Sequence, residues 1–140
     1  MNSFQLEILS PERVFYRGEC ISLIVPISDG MLGVMANCEP FTASLTIGEA
    51  YYTKPDGEKI LFSISGGMID VQGKNVTLLC ESALLPEEID EKQQREEAEN
   101  ARSELAKAQS KRDYLLSKHL LMDAVNNLKV KQKQIGRAHV

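Results

Sequence analysis

The hydrophobic period of this 140-residue chain changes once, at Pro86, and that change limits the folds open to it. Upstream, apolar residues fall at every second position in short runs punctuated by glycine. Downstream, they recur at three and four among Glu, Gln, Lys and Arg. A period of two puts alternate side chains on one face of a strand, whereas 3-4 spacing marks a stripe on a helix. "FQLEIL" sets Phe4, Leu6 and Ile8 against Gln5 and Glu7, and "CISLIVPI", "MLGVM", "FTASLTI", "EAYYTK", "KILFSI", "MIDVQ" and "VTLLCES" follow. Pro55-Asp56-Gly57 and Gly73-Lys74-Asn75 read as hairpin turns: proline presets φ, and glycine accepts positive φ. Eight short strands with no helical crossover between them predict an antiparallel sandwich or barrel over residues 1–85.

Residues 86–140 read as two helices. Pro86 suits a first helical turn, where its missing N–H costs nothing, and Glu87, Glu88, Asp90 and Glu91 complement the positive helix end. Ala98, Ala101, Leu105 and Ala108 mark one face of the first helix. "SKRD" interrupts it, and Asp113 is the expected cap of the second. Leu116, Leu120, Ala124 and Leu128, with Leu121 and Val125 alongside, form the second stripe. Two helices of roughly 30 Å joined by a short loop make an antiparallel hairpin. Each buried alanine methyl contributes about 0.8 kcal/mol, against an ordering cost of roughly 1–2 kcal/mol per residue. Such an arm needs a neighbour, and its docking is expected to be reversible.

The formal charge of −4 conceals a gradient. Residues 1–85 carry net −5, residues 86–104 net −5, and residues 105–140 net +6. The basic end holds one aromatic, Tyr114, so it offers bases no stacking platform, and an acidic protein is the better partner. No stretch of eighteen apolar residues suggests a membrane span, and "MNSFQLEILSPER" does not read as a secretory signal. Cys20, Cys38 and Cys80 lack paired spacing and read as reduced thiols, not as a metal site or disulfide framework. Ser65-Gly66-Gly67 precedes a strand, so it cannot seat a phosphate on a helix N-terminus. No Ser/His/Asp or paired-carboxylate arrangement stands out, so no catalytic residue, metal or cofactor is expected. His119, one position off the leucine stripe, reads as a helix-boundary residue. His139 lies in the terminal "IGRAHV", which reads like a translated sequencing adapter. Residues 135–140 are therefore set aside as a candidate non-native end and given no role.

In this frame the chain resembles the epsilon subunit of F-type ATP synthase. "SDGMLGVMANCEPF" is similar to that family's glycine-leucine-glycine loop with its proline- and histidine-bearing continuation. "SISGGMIDVQGKNVTLL" resembles its serine-glycine-glycine strand pair, "EEIDEKQQ" the start of its first helix, and "RSELAKAQSKRDY" and "AVNNLKV" its helical hairpin. The resemblance implies an antiparallel β-sandwich (1–85) followed by a two-helix regulatory arm (86–140). It implies a non-catalytic central-stalk subunit that couples ion translocation to ATP synthesis, peripheral on the cytoplasmic face of a bacterial membrane. The sandwich would bind the gamma subunit and rest on the c-ring. The loop Ser28–Met35, led by Ser28, Asp29, Gly30, Met31 and Leu32, would face the ring. The arm would fold beside the sandwich or extend along gamma and restrain ATP hydrolysis, touching an acidic segment of the beta subunit. Lys118, Lys129, Lys131 and Lys133 are the candidates for that contact; a solvated helix face is the other reading of them.

Some relatives hold ATP in the arm through an isoleucine-aspartate box and several arginines. Here Ile89 and Asp90 are present, but Gln93, Asn100, Asp123 and Asn127 stand where those relatives carry arginine. Lys92 and Arg95 fall on other faces of the helix from Gln93. Polyphosphate recognition needs permanent positive charge in bidentate geometry, which Gln and Asn cannot supply. No nucleotide site is expected. Ala36 and Cys38 replace the family's proline and histidine, which bears on loop stiffness. An alternative that the residues leave open is a cytosolic adaptor module binding an acidic protein.

Overall fold

The computed structural model describes residues 2–138, with side chains as far as Gln134. The set-aside end, 135–140, and His139 lie outside the described side chains. Packing divides the chain into Met1–Leu85 and Pro86–Val140.

The first unit is a sandwich of two five-stranded sheets. One sheet runs in the order β2 (Val14–Cys20), β1 (Phe4–Leu9), β9 (Asn75–Cys80), β8 (Gly67–Gln72) and β5 (Phe41–Leu45). The other runs β10 (Ala83–Leu84), β7 (Lys59–Ile64), β6 (Gly48–Thr53), β3 (Ser22–Ile27) and β4 (Gly30–Met35). Alternation does its work on both inner faces: Phe4, Leu6, Ile8, Leu23, Val25, Phe62, Ile64, Ile69, Val71 and Leu78 are buried in one core. Each such side chain contributes about 1.5–3 kcal/mol of burial. At the β6–β7 turn Gly57 takes φ 93° and the Asp56 carboxylate accepts from Glu58 N at 2.9 Å.

Three features differ from the strand pattern read in the sequence. β2 is a full strand, although "VFYRGEC" shows no alternation. A bulge shifts the register between Ile8 and Leu9, so Tyr16 faces Ile8 while Val14 faces Leu9. Phe15 and Tyr16 therefore both reach the core, with ring centroids 5.1 Å from Phe62 and 4.3 Å from Tyr52. "CISLIVPI" is divided, with Cys20 closing β2 and β3 opening at Ser22. β1 also pairs parallel with β9, the one parallel ladder between the described strands.

The second unit begins with a 3-10 turn, Pro86–Glu88, and then α1 (Glu91–Lys107) and α2 (Lys111–Ala138). Pro86 thus opens a tight turn and not the long helix. Asp90 is the cap of α1, its carboxylate accepting from Gln93 N at 3.2 Å. The cap of α2 is Ser110, whose Oγ accepts from Asp113 N at 3.1 Å. Asp113 instead sits in the first turn, where its charge complements the helix end.

Burial holds two of the three thiols out of reach. Cys20 donates through Sγ to the Ser22 carbonyl at 2.8 Å, and burial pushes its pKa up. Burial pushes the Cys80 thiol to about 12. Cys38 is half-buried in the loop after β4. In the native protein a thiol reagent is expected to label Cys38 rapidly and Cys20 and Cys80 only on unfolding. Mass-spectrometric labelling checks this, and rapid native labelling of Cys80 would contradict it.

Candidate functional site

Four surfaces carry the features that could bind. The first is the β3–β4 hairpin. Ser28 and Asp29 form its two-residue tip, closed by Gly30 at φ 128°, and Met31 is 54% exposed. Leu32 turns inward and packs on the core, so it belongs to the fold and not to the facing surface.

The second surface was not legible as a site in the sequence. On the solvent face of the β1 sheet, Val14 lies opposite Leu9, Leu9 beside Leu79, and Leu79 opposite Met68. These four apolar residues on four adjacent strands form a row of about 14 Å. Val14, Leu79 and Met68 are 48%, 51% and 48% exposed. Contiguous apolar surface of this kind marks a contact site more often than scattered residues do. In sequence Leu9, Met68 and Leu79 are each merely the odd member of an alternating run, and Val14 belongs to no such run; only strand pairing lines them up.

The third is the seam between α1 and α2. The structure separates the residues of the nucleotide-box comparison. Ile89 is buried, Asp90 caps the helix, and Gln93 faces outward and donates to Glu97 at 3.1 Å. Arg95, also outward, pairs with Glu91. Gln94 is the residue that turns in: its Oε1 accepts from Asn127 Nδ2 at 3.2 Å, both side chains buried. Continuing the 3-4 alternation of Ala101 and Ala98 back by four residues would have pointed to Gln94. Asn100 and Asp123 border a cavity of about 480 Å³ near the hairpin tip. Its acidic lining, Glu97, Glu104, Asp113 and Asp123, outweighs a single lysine, Lys107. Carboxylates lining one cavity repel a polyphosphate. Adding about 1 mM ATP is therefore expected to move the melting temperature of the isolated chain by less than about 1 °C, since stabilisation requires binding to the folded state. A rise of several degrees would show that phosphates find a cation set elsewhere.

The leucine stripe also moves. Leu116 and Leu120 are 57% and 51% exposed, while Ser117, Ala124, Asn127 and Val130 are buried. An alanine-faced α1 admits close approach only of small partners, so Ser117 and Ala124 take the seam and the leucines fall to its edge.

The fourth surface is the outer face of α2. Lys118 and Lys129 are exposed and eleven residues apart, so at 100° per residue they point the same way. Exposed Met122 and Lys133 share that face. Lys131 does not: its Nζ donates to the Pro86 carbonyl at 3.1 Å and ties α2 to the 3-10 turn. Among the described residues no group of His, Cys, Asp and Glu forms a metal cluster, and no helix is long and apolar enough to cross a membrane.

A sandwich with an exposed apolar row, followed by a polar hairpin with a basic face, defines a class of two-unit protein whose candidate sites are surfaces for contact. The family described as "ATP synthase, Delta/Epsilon chain, beta-sandwich domain" matches residues 3–86. An ATP synthase epsilon chain of Caldanaerobacter subterraneus is 33% identical over 94% of this chain and 95% of its own length. That of Caldicellulosiruptor bescii is 32% identical over 95% and 96%. That of Dichelobacter nodosus is 38% identical over 66% of this chain, which spans 65% of that relative. A chain of the Euglena gracilis mitochondrial ATP synthase structure (OSCP/F1/c-ring) shares the fold with a TM-score of 0.75 at 20% identity, covering 89% of this chain and 78% of the other. The chain belongs to the ATP synthase epsilon chain family. The adaptor reading loses its ground with that membership.

Proposed function

We propose that the chain is the non-catalytic central-stalk subunit of an F-type ATP synthase at the cytoplasmic face of a bacterial membrane. The observation that carries this reading is the match to epsilon chains along 94% of the sequence, which includes the arm as well as the sandwich. The sandwich holds the gamma subunit through the Val14–Leu9–Leu79–Met68 row. The Ser28–Asp29 tip and Met31 rest on the c-ring. Ion movement through the ring is thereby coupled to rotation in the catalytic head. The arm is the regulatory part, and Lys118, Lys129 and Lys133 meet an acidic segment of the beta subunit. Exposed lysines on a solvated helix contribute little singly, so a contact through several at once also explains why they share a face.

The test is ATP hydrolysis by the matching alpha-beta-gamma head alone, with the full chain, and with residues 1–85. The expected result is that the full chain inhibits while the truncated sandwich binds gamma without inhibiting. Binding by both with inhibition by neither would leave a coupling subunit whose arm is no brake. Failure of the truncated sandwich to bind gamma would refute the division of labour between the two units.

A further inference from the structure

We propose that the tip half of the helical hairpin is a docking groove for one amphipathic helix of another protein, with Lys or Arg flanking its apolar face. The starting observation is a seam that closes at one end and not at the other. Around Gln94, Ala98, Ala124 and Asn127 the two helices bury one another's side chains. Toward the α1–α2 loop Ala101 and Ser117 are still buried, but they line a cavity of about 480 Å³ together with Leu116 and Leu120, which remain more than half exposed. Volumes of roughly 300–1,000 Å³ are typical of sites that take a ligand.

The lining chooses the occupant. A leucine wall rimmed by Glu97, Glu104, Asp113 and Asp123 suits side chains with an apolar stem and a cationic head. Lysine and arginine have that form, lying along apolar surface while the charge reaches the rim. From Leu116 to Asp123 the groove follows α2 for about two turns, roughly 10 Å. That length matches the i, i+3/i+4, i+7 anchors of a docked helix. A second copy of this chain is a poor fit, because the apolar side of its basic helix is already turned inward, with Ala124 and Val130 buried, and Lys131 is tied to Pro86. The groove lies within the hairpin and does not depend on the stalk reading above.

The experiment titrates the full-length chain with a synthetic helix of about 18 residues, long enough to be helical when bound. It carries leucine at i, i+3, i+4 and i+7 with lysine flanks, and an otherwise identical helix carries glutamate flanks. The basic helix is expected to bind at micromolar concentration and the acidic one at least about tenfold more weakly, the preference shrinking with salt. Leu116→Ser with Leu120→Ser, and separately Glu104→Lys with Asp123→Lys, should each weaken the basic helix about tenfold or more. Leu115→Ser with Met122→Ser, exposed on another face of α2 and outside the cavity lining, should leave it unchanged. Circular dichroism confirms that each variant keeps its helix content. Equal binding of both helices, no binding of either, indifference to the groove variants, or self-association of the chain in sedimentation would overturn the proposal.

Discussion

Replacing Gly67 with alanine is expected to destabilise the sandwich by about 3–5 kcal/mol, which combines a strained φ with a forced backbone shift. Gly67 opens β8 at φ 145°, and a Cβ there would lie 2.0 Å from the Leu79 carbonyl oxygen and 2.9 Å from Cys80 Cα. Neither is a flexible side-chain end, so β9 itself must move. β9 is central in its sheet, between β1 and β8, and a shift there disturbs both ladders. For a domain of this size the melting temperature should fall by roughly 15–30 °C. Gly33 is the control: a Cβ there meets nothing within 4 Å, so Gly33→Ala should stay within about 0.5 kcal/mol. Equal melting of the two variants in a thermal scan would show that β9 yields more easily than its two ladders suggest.

The second large effect concerns the apolar row. Leu79→Asp combined with Met68→Asp should weaken binding to gamma at least about 100-fold, or about 2.7 kcal/mol. Two carboxylates would then enter the centre of a contact that desolvates them without partners. Neither side chain belongs to the core, so the melting temperature should change little. Met35→Asp, on an exposed residue of β4 in the other sheet, is expected to leave gamma affinity within about threefold. Calorimetric titration of gamma with the three proteins decides this. Unchanged affinity of the Leu79/Met68 variant would remove the row from the interface.

Much of the fold was legible because it is local. Phe4, Leu6 and Ile8 announce β1 whatever lies beside them, and the turn at Asp56-Gly57 carries its own dihedral requirement. The arm was legible for the same reason, since Ala98 and Ala101 repeat at helical spacing. β2 was missed because its bulge, which turns Phe15 and Tyr16 together into the core, erases the alternation that identifies a strand. Ser110 was passed over for Asp113 as the cap of α2 by three residues, a choice set by which oxygen reaches a free N–H.

The candidate surfaces divide along the same line. Ser28, Asp29 and Met31 could be picked out because one hairpin presents them together, although Leu32 beside them faces the other way. The lysines of α2 could be placed on a helix, but not sorted: Lys131 is drawn off by the Pro86 carbonyl. By itself, the sequence determined two units, most of their secondary structure and the charge of each segment, because these follow from neighbours within a turn or a strand. Only the tertiary structure decided that Val14, Leu9, Leu79 and Met68 form one row, that Gln94 meets Asn127, and that Leu116 and Leu120 border a groove. Those outcomes depend on register between segments distant in the chain, such as the parallel pairing of β1 with β9, and no local period encodes it.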